Sequence, residues 1–176
     1  MCICCLCSMK TRYPLIVTCM VLTLIGAESR AFSQQADTEN RVLIRVGTGL
    51  YDIRRADAHA FRQGEIGFTH DRNTLQPFVG FILTTTKDTY GYLGLLAEVP
   101  LLDRIQLLVR LAGGLYTRGK GIDLGFPLEF RSEAELSWQW TSQSRVGVAL
   151  SHLSNGGLSK VNPGLEMLSL TYAITR

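Results

Sequence analysis

Two stretches near the end of the chain alternate with period two, and one side of each is dominated by large apolar residues. Over 143–154, Val146, Val148, Leu150, His152 and Ser154 share one side, and Gly147, Ala149, Ser151 and Leu153 share the other. Over 165–175, Glu166, Leu168, Leu170, Tyr172 and Ile174 share one side, and Met167, Ser169, Thr171 and Ala173 the other. Successive side chains of a strand point to opposite faces, so this is strand patterning. A small barrel in lipid needs such a pattern, with bulky apolar residues outward and small or polar ones inward. The pattern alone leaves one alternative, a soluble lipocalin-like barrel or a sandwich with the large face inward.

The rest of the chain repeats strand and turn. Strands are expected near 41–53, 59–69, 75–86, 89–99, 104–117, 126–140, 143–154 and 165–175. Turn signals separate them: Asp71-Arg-Asn73, Lys87-Asp88, Pro100 to Asp103, Arg118-Gly-Lys-Gly121, Thr141-Ser142 and Asn155-Gly-Gly157. Eight strands of this length suit an all-β, antiparallel transmembrane barrel of the outer-membrane type over 41–176, since about 9–11 residues cross a bilayer. In the sixth strand Arg131, Glu133 and Glu135 share a face, continued by Ser137 and Gln139. A charged row this long is costly toward lipid, so it marks the lumen. Ala134, Leu136, Trp138 and Trp140 then face away. Tyr90, Tyr92, Tyr116, Trp138 and Trp140 are expected in interfacial aromatic girdles.

The N-terminus reads as an export signal over 1–33. Lys10 and Arg12 precede an apolar core from Pro14 to Ala27, and Ala31-Phe-Ser33 supplies small residues for cleavage. That core is about 14 residues, short of the roughly 20 a spanning helix needs. Met9 opens a more ordinary signal than Met1, so translation is expected to start there. Residues 34–40 are polar and read as a flexible lead-in. All five cysteines lie in the first nineteen residues, so none is left to bridge the body. The Cys2–Cys7 run lacks the spaced second half of a zinc module, and no metal or other cofactor is expected. Beyond the signal, fifteen Lys/Arg face fourteen Asp/Glu, which gives no electrostatic case for nucleic acid.

Pairing the last two strands antiparallel with His152 opposite Glu166 has a further consequence. Leu150 then meets Leu168, Val148 meets Leu170, and Val146 meets Tyr172. A slip of one residue would move Glu166 to the opposite face. Opposed residues have Cβ atoms about 4.5–5.5 Å apart, within reach of a Glu–His hydrogen bond. Ser154 lies two residues beyond His152, about 6.5–7 Å along the strand. The order Glu166, His152, Ser154 is acid, base, nucleophile. Serine needs a base to become nucleophilic, histidine titrates near neutrality, and a carboxylate fixes the histidine tautomer. Donors for an oxyanion are on offer from Asn155, Asn162 and the amides of Gly156 and Gly157; which two donate is open. Alone, each feature has a bland explanation: an interfacial histidine, a turn, a rim glutamate. Together, on the apolar face of neighbouring strands, they are expensive unless they act. His59 and His70 have no such partners and read as rim residues, and Asp52 as lumenal or rim. Gly47 and Gly49 suit a crowded barrel wall.

His152-Leu-Ser154-Asn155 followed by Asn162-x-Gly164-x-Glu166 resembles the signature of the lipid A 3-O-deacylase (PagL) family. Gly47-x-Gly49-x-Tyr51-Asp52 is similar to that family's first strand. The resemblance is strong over 145–172 and diffuse elsewhere. It implies an outer-membrane esterase that cleaves the 3-position acyl ester of lipid A without a cofactor. It also implies Ser154 as nucleophile, His152 as base and Glu166 as the orienting acid, with Asn155, Gly157 and Asn162 in the oxyanion region. The partner it implies is lipopolysaccharide in the outer leaflet; a homodimer is left open. The chain ends Ile174-Thr-Arg176 rather than in the aromatic residue common in such barrels, with Tyr172 placed to serve instead. The alternatives are a non-catalytic structural barrel and another barrel lipid hydrolase or acyltransferase.

Overall fold

A computed structural model describes residues 40–55, 58–70 and 75–176. The expected export signal over 1–33 lies outside these residues. So does the lead-in, apart from Asn40, and so do the turn at 71–73 and the side chain of His70. Eight strands are present: β1 Asn40–Tyr51, β2 His59–His70, β3 Leu75–Thr84, β4 Thr89–Leu102, β5 Ile105–Thr117, β6 Leu128–Gln139, β7 Ser144–Ser154 and β8 Leu165–Thr175. Each pairs antiparallel with the next, and β8 returns to β1 to close the barrel. Closure leaves no unpaired edge, which is the condition for strands to cross a bilayer. The strand bounds follow the sequence pattern with one clear exception. β4 continues through the turn expected at Pro100 and ends at Leu102. A register shift between Pro100 and Leu102 absorbs the proline, which has no N–H to donate to the ladder.

The lumen is packed around buried charge. Arg45 reaches Glu65 at 2.8 Å, Glu133 at 2.8 Å and Glu135 at 2.9 Å. Arg110 bonds Glu133 at 3.0 Å and Glu135 at 2.7 Å. Arg131 pairs with Glu133, donates to Gln63 Oε1 at 2.9 Å, and lies over the Tyr92 ring. Three guanidinium groups thus share three carboxylates, with Tyr92 and Thr171 donating into the cluster. Tyr51, Ile82, Leu153, Leu165 and Met167 fill the lumen toward one rim. The inward row expected on β6 is therefore observed, with Glu133 and Glu135 buried and Leu136 and Trp138 facing out.

Three tyrosines correct the expected aromatic girdle. Tyr90 and Tyr92 are buried and stacked on each other inside the barrel, and Tyr116 packs against the same core. Each has a hydroxyl partner there: Glu129 O, Glu65 and Ile122 O respectively. An aromatic ring with a satisfied hydroxyl serves the lumen as well as an interface, so residue type alone could not separate the two. Trp138 and Trp140 do face outward.

The outer wall is apolar. Leu93, Leu115 and Leu170 are 71%, 65% and 65% exposed. Leucines so open on every side of a barrel require lipid as solvent. Gly49 lies in the wall where a Cβ would meet Leu168 O at 2.0 Å. The connections 52–58, 85–88, 118–127 and 155–164 fall at one rim, which thus holds the three longest, and those after β2, β4 and β6 fall at the other. The short-turn mouth holds a polar bowl of about 320 Å³ bordered by Arg41, Gln76, Glu98, Gln106 and Arg145.

Asp88 ties the long-loop rim together. It is fully buried and accepts hydrogen bonds from Tyr51, Thr84 and Thr86, and from the amides of Gly119 and Gly121 at 2.6 and 3.0 Å. Burial alone would raise its pKa; the hydrogen bonds from Thr86, Gly119, Tyr51 and Gly121 outweigh it and hold the carboxyl below its ordinary value. A depressed carboxylate contributes stability above the unfolded value, about 3.9, and that contribution is lost as pH falls through the lower folded value. Thermal unfolding of detergent-folded protein should therefore weaken more below about pH 4 in the wild type than in Asp88→Asn; equal acid sensitivity of the two would refute this role. Glu133→Gln leaves three buried guanidinium groups with two carboxylates. It should cost about 3–5 kcal/mol of stability, read from urea unfolding in lipid or detergent.

Candidate active site

The β7–β8 register is the one the apolar pattern favours. His152 pairs with Glu166, Leu150 with Leu168, Val148 with Leu170 and Val146 with Tyr172. On the other side of β7, Ser132 faces His152 and Phe130 faces Ser154. All these side chains point out of the barrel, because their sequence neighbours Ser151, Leu153, Leu165 and Met167 are buried inside it. Strand parity thus puts three polar groups on an apolar wall, next to the long-loop rim.

Their geometry is specific. His152 Nδ1 lies 3.0 Å from Glu166 Oε1, with side chains 45% and 18% exposed. The bond occupies one ring nitrogen and leaves Nε2 directed elsewhere. Ser154 follows on the same face of β7, and its hydroxyl has no hydrogen-bond partner among the described residues. The second oxygen of Glu166 forms an ion pair with Arg54, and the Ile53 amide donates to the Glu166 carbonyl at 3.3 Å. Arg54 is a site residue that the sequence pattern does not single out. It comes into place only because β1 closes the barrel against β8, with Tyr51 opposite Met167.

The 155–164 loop is built around Asn155, which is fully buried. Its side-chain amide donates to Leu124 O and Val161 O, each at 2.8 Å, and its Oδ1 accepts the Gly157 amide at 3.0 Å. Its own backbone N–H donates to Asn162 Oδ1 at 3.2 Å. That bond fixes which end of the Asn162 amide is oxygen, so Nδ2 remains an open donor. Asn155 and Gly157 therefore shape the loop, and Asn162 is exposed at its surface. Gly164 underlies the histidine: its φ is +60°, and a Cβ there would lie 2.9 Å from His152 Cε1. Elsewhere, His59 packs at a tilt against Tyr51, and Asp52, just after β1, accepts a hydrogen bond from Arg55 at 2.6 Å. Among the described residues no cluster of three His, Cys, Asp or Glu has metal-binding geometry.

The fold and the outer-wall site define a class: an eight-stranded β-barrel of the outer-membrane type with a His–Glu pair and a serine on its lipid-facing side. Residues 93–175 match the family model of the lipid A 3-O-deacylases (PagL). The match spans a little under half of the chain and makes that part similar to the family, while the closed barrel with its apolar outer wall is of the outer-membrane type. A stretch of 49 residues is 37% identical to the lipid A deacylase PagL of Bordetella bronchiseptica; it covers 28% of each protein. The crystal structure of the outer membrane enzyme PagL superposes with a TM-score of 0.59 at 20% identity, covering 75% of this chain and 98% of that one. A de novo designed transmembrane β-barrel gives 0.58 at 10% identity, covering 81% and 100%. The designed protein shows how far the barrel alone carries a structural match, so the likeness to the family rests on sequence.

Gly164→Ala should cost about 1–2 kcal/mol for the left-handed backbone and push the imidazole off Glu166. A lowered unfolding midpoint together with a shifted His152 side-chain resonance checks both; an unmoved resonance refutes the contact.

Proposed function

We propose that the protein hydrolyses the ester-linked acyl chain at the 3-position of lipid A by a Ser-His-Glu triad. The observation that carries this reading is the His152–Glu166 hydrogen bond, set beside Ser154 on the lipid-facing wall. Three neighbouring polar groups on that wall are costly in hydrocarbon unless they meet a substrate there. A membrane lipid is such a substrate: its acyl chains lie along the barrel and its esters sit near the interface. Long loops of outer-membrane barrels face outward and short turns face the periplasm, which sets the site at the level of the outer leaflet, where lipopolysaccharide lies.

The roles follow from the chemistry. Glu166 accepts Nδ1–H of His152 and so keeps Nε2 free as base. Nε2 takes the Ser154 proton as Oγ attacks the ester carbonyl. The tetrahedral oxyanion needs donors in the loop that follows Ser154. We place it in the region of Asn155, Gly157 and Asn162, where Asn162 Nδ2 has an open donor and Asn155 holds the loop that presents it. The imidazolium then returns the proton to the departing sugar 3-hydroxyl. This leaves an acyl-enzyme on Ser154. Water, deprotonated by the same nitrogen, cleaves it and releases the fatty acid. No cofactor enters these steps.

Expression in an outer-membrane host, followed by mass spectrometry of lipid A, tests the proposal. Wild type should remove one acyl chain, and Ser154→Ala should lower the rate at least about a thousand-fold in a folded barrel. Undiminished release of fatty acid by Ser154→Ala would falsify the triad. Lysophospholipid as the product would redirect the reading to a phospholipase.

A further inference from the structure

We infer that Arg54 is a positioning residue for this site: it holds the Glu166 carboxylate in the plane that meets His152. The inference rests on the reading of Glu166 as the orienting acid, and it adds a fourth member carried by a different part of the chain.

A carboxylate has two oxygens, and a single hydrogen bond leaves it free to rotate about its terminal torsion. Glu166 gives Oε1 to His152 at 3.0 Å. At the edge of a lipid-facing wall the other oxygen has little water to solvate it, and an unpartnered carboxylate oxygen there is costly. Arg54 brings its Nε into an ion pair with Oε2 and supplies the compensating charge, while Oε2 has no hydrogen-bond partner among the described residues. Arg54 itself is 62% exposed and touches no other carboxylate among the described residues. The segment bearing it is anchored independently, because the Ile53 amide donates to the Glu166 backbone carbonyl. The acid is thus gripped from both flanks: by β7 through His152, and by the first loop through residues 53 and 54. The cationic residue next to it in sequence does other work: Arg55 pairs with Asp52.

Two functions are separable for a group in this position. A positioning residue acts through Glu166, so its loss slows the chemical step. A substrate-binding residue acts on the anionic headgroup directly, so its loss weakens binding. The ion pair with the same carboxylate that bonds His152 favours the first. Its nearness to the reacting groups also predicts the size of the effect, since misplacing a catalytic group by an ångström costs on the order of a hundred-fold.

The experiment measures kcat and KM on purified lipid A in mixed micelles for wild type, Arg54→Gln, Arg54→Lys, Glu166→Gln and the double variant Arg54→Gln/Glu166→Gln. Ser154→Ala is the blank, and heat-modifiable gel mobility confirms folding. Arg54→Gln should lower kcat roughly ten- to a hundred-fold with little change in KM. Arg54→Lys, which keeps the charge, should recover most of the loss. In the Glu166→Gln background Arg54→Gln should have no further effect, because the two share one interaction. A kcat within two-fold of wild type, a change confined to KM, or full additivity in the double variant would each overturn the inference. Wild type no more active than Ser154→Ala would instead remove the functional reading beneath it.

Discussion

The balanced charge cluster in the lumen is the constraint on which the remaining structure depends. Arg45, Arg110 and Arg131 share Glu65, Glu133 and Glu135, and none of the six can face lipid. Their burial fixes which face of β1, β2, β5 and β6 is interior. Strand parity then propagates that choice around a closed ladder, because every neighbour must stay in register. Once β6 turns Glu133 inward, β7 must turn Ser151 and Leu153 inward, and His152 and Ser154 have nowhere to go but out. The placement of the site is thus decided several strands away from it.

Much of this is legible in the sequence, for a physical reason. The β7–β8 pairing stacks Leu150 on Leu168 and Val148 on Leu170, and a one-residue slip would turn one strand's large residues to the opposite face; the contact between His152 and Glu166 comes with the observed register. The polar row Arg131, Glu133, Glu135 names the interior because charge and lipid are incompatible. Legibility fails where a residue type suits both sides. Tyr90 and Tyr92 look like girdle residues, yet they bury their rings in the lumen and satisfy their hydroxyls there. It fails again where distance along the chain is greatest. Arg54 reaches Glu166 only through closure of the first strand on the last, and no local pattern announces that contact. Asn155 shows a third limit: its sequence setting suggests an oxyanion donor, while its side chain is committed to Leu124 O and Val161 O.

The site is accordingly layered. The strands deliver the imidazole, the carboxylate and the hydroxyl with the precision of a hydrogen-bonded ladder. Two loops adjust them: the first through Ile53 and Arg54, and the last through Asn155, Asn162 and the glycine beneath the ring. Rigid strands suit groups that must hold their spacing, and loops suit groups that must meet a bulky, variable lipid. Asn155 also binds the 155–164 loop to Leu124 in the neighbouring loop, so the two cannot move independently.

The polar bowl at the short-turn mouth bears on a different property, permeability. It opens at that mouth, and the ion cluster and the aromatic stack fill the lumen above it. The barrel is a dead end rather than a conduit. A membrane crowded with this protein therefore keeps its barrier to small hydrophilic solutes. On the proposed function, the substrate reaches the wall-borne site sideways, by diffusion within the leaflet, and its encounter rate is set by the surface density of lipid rather than by concentration in the surrounding water.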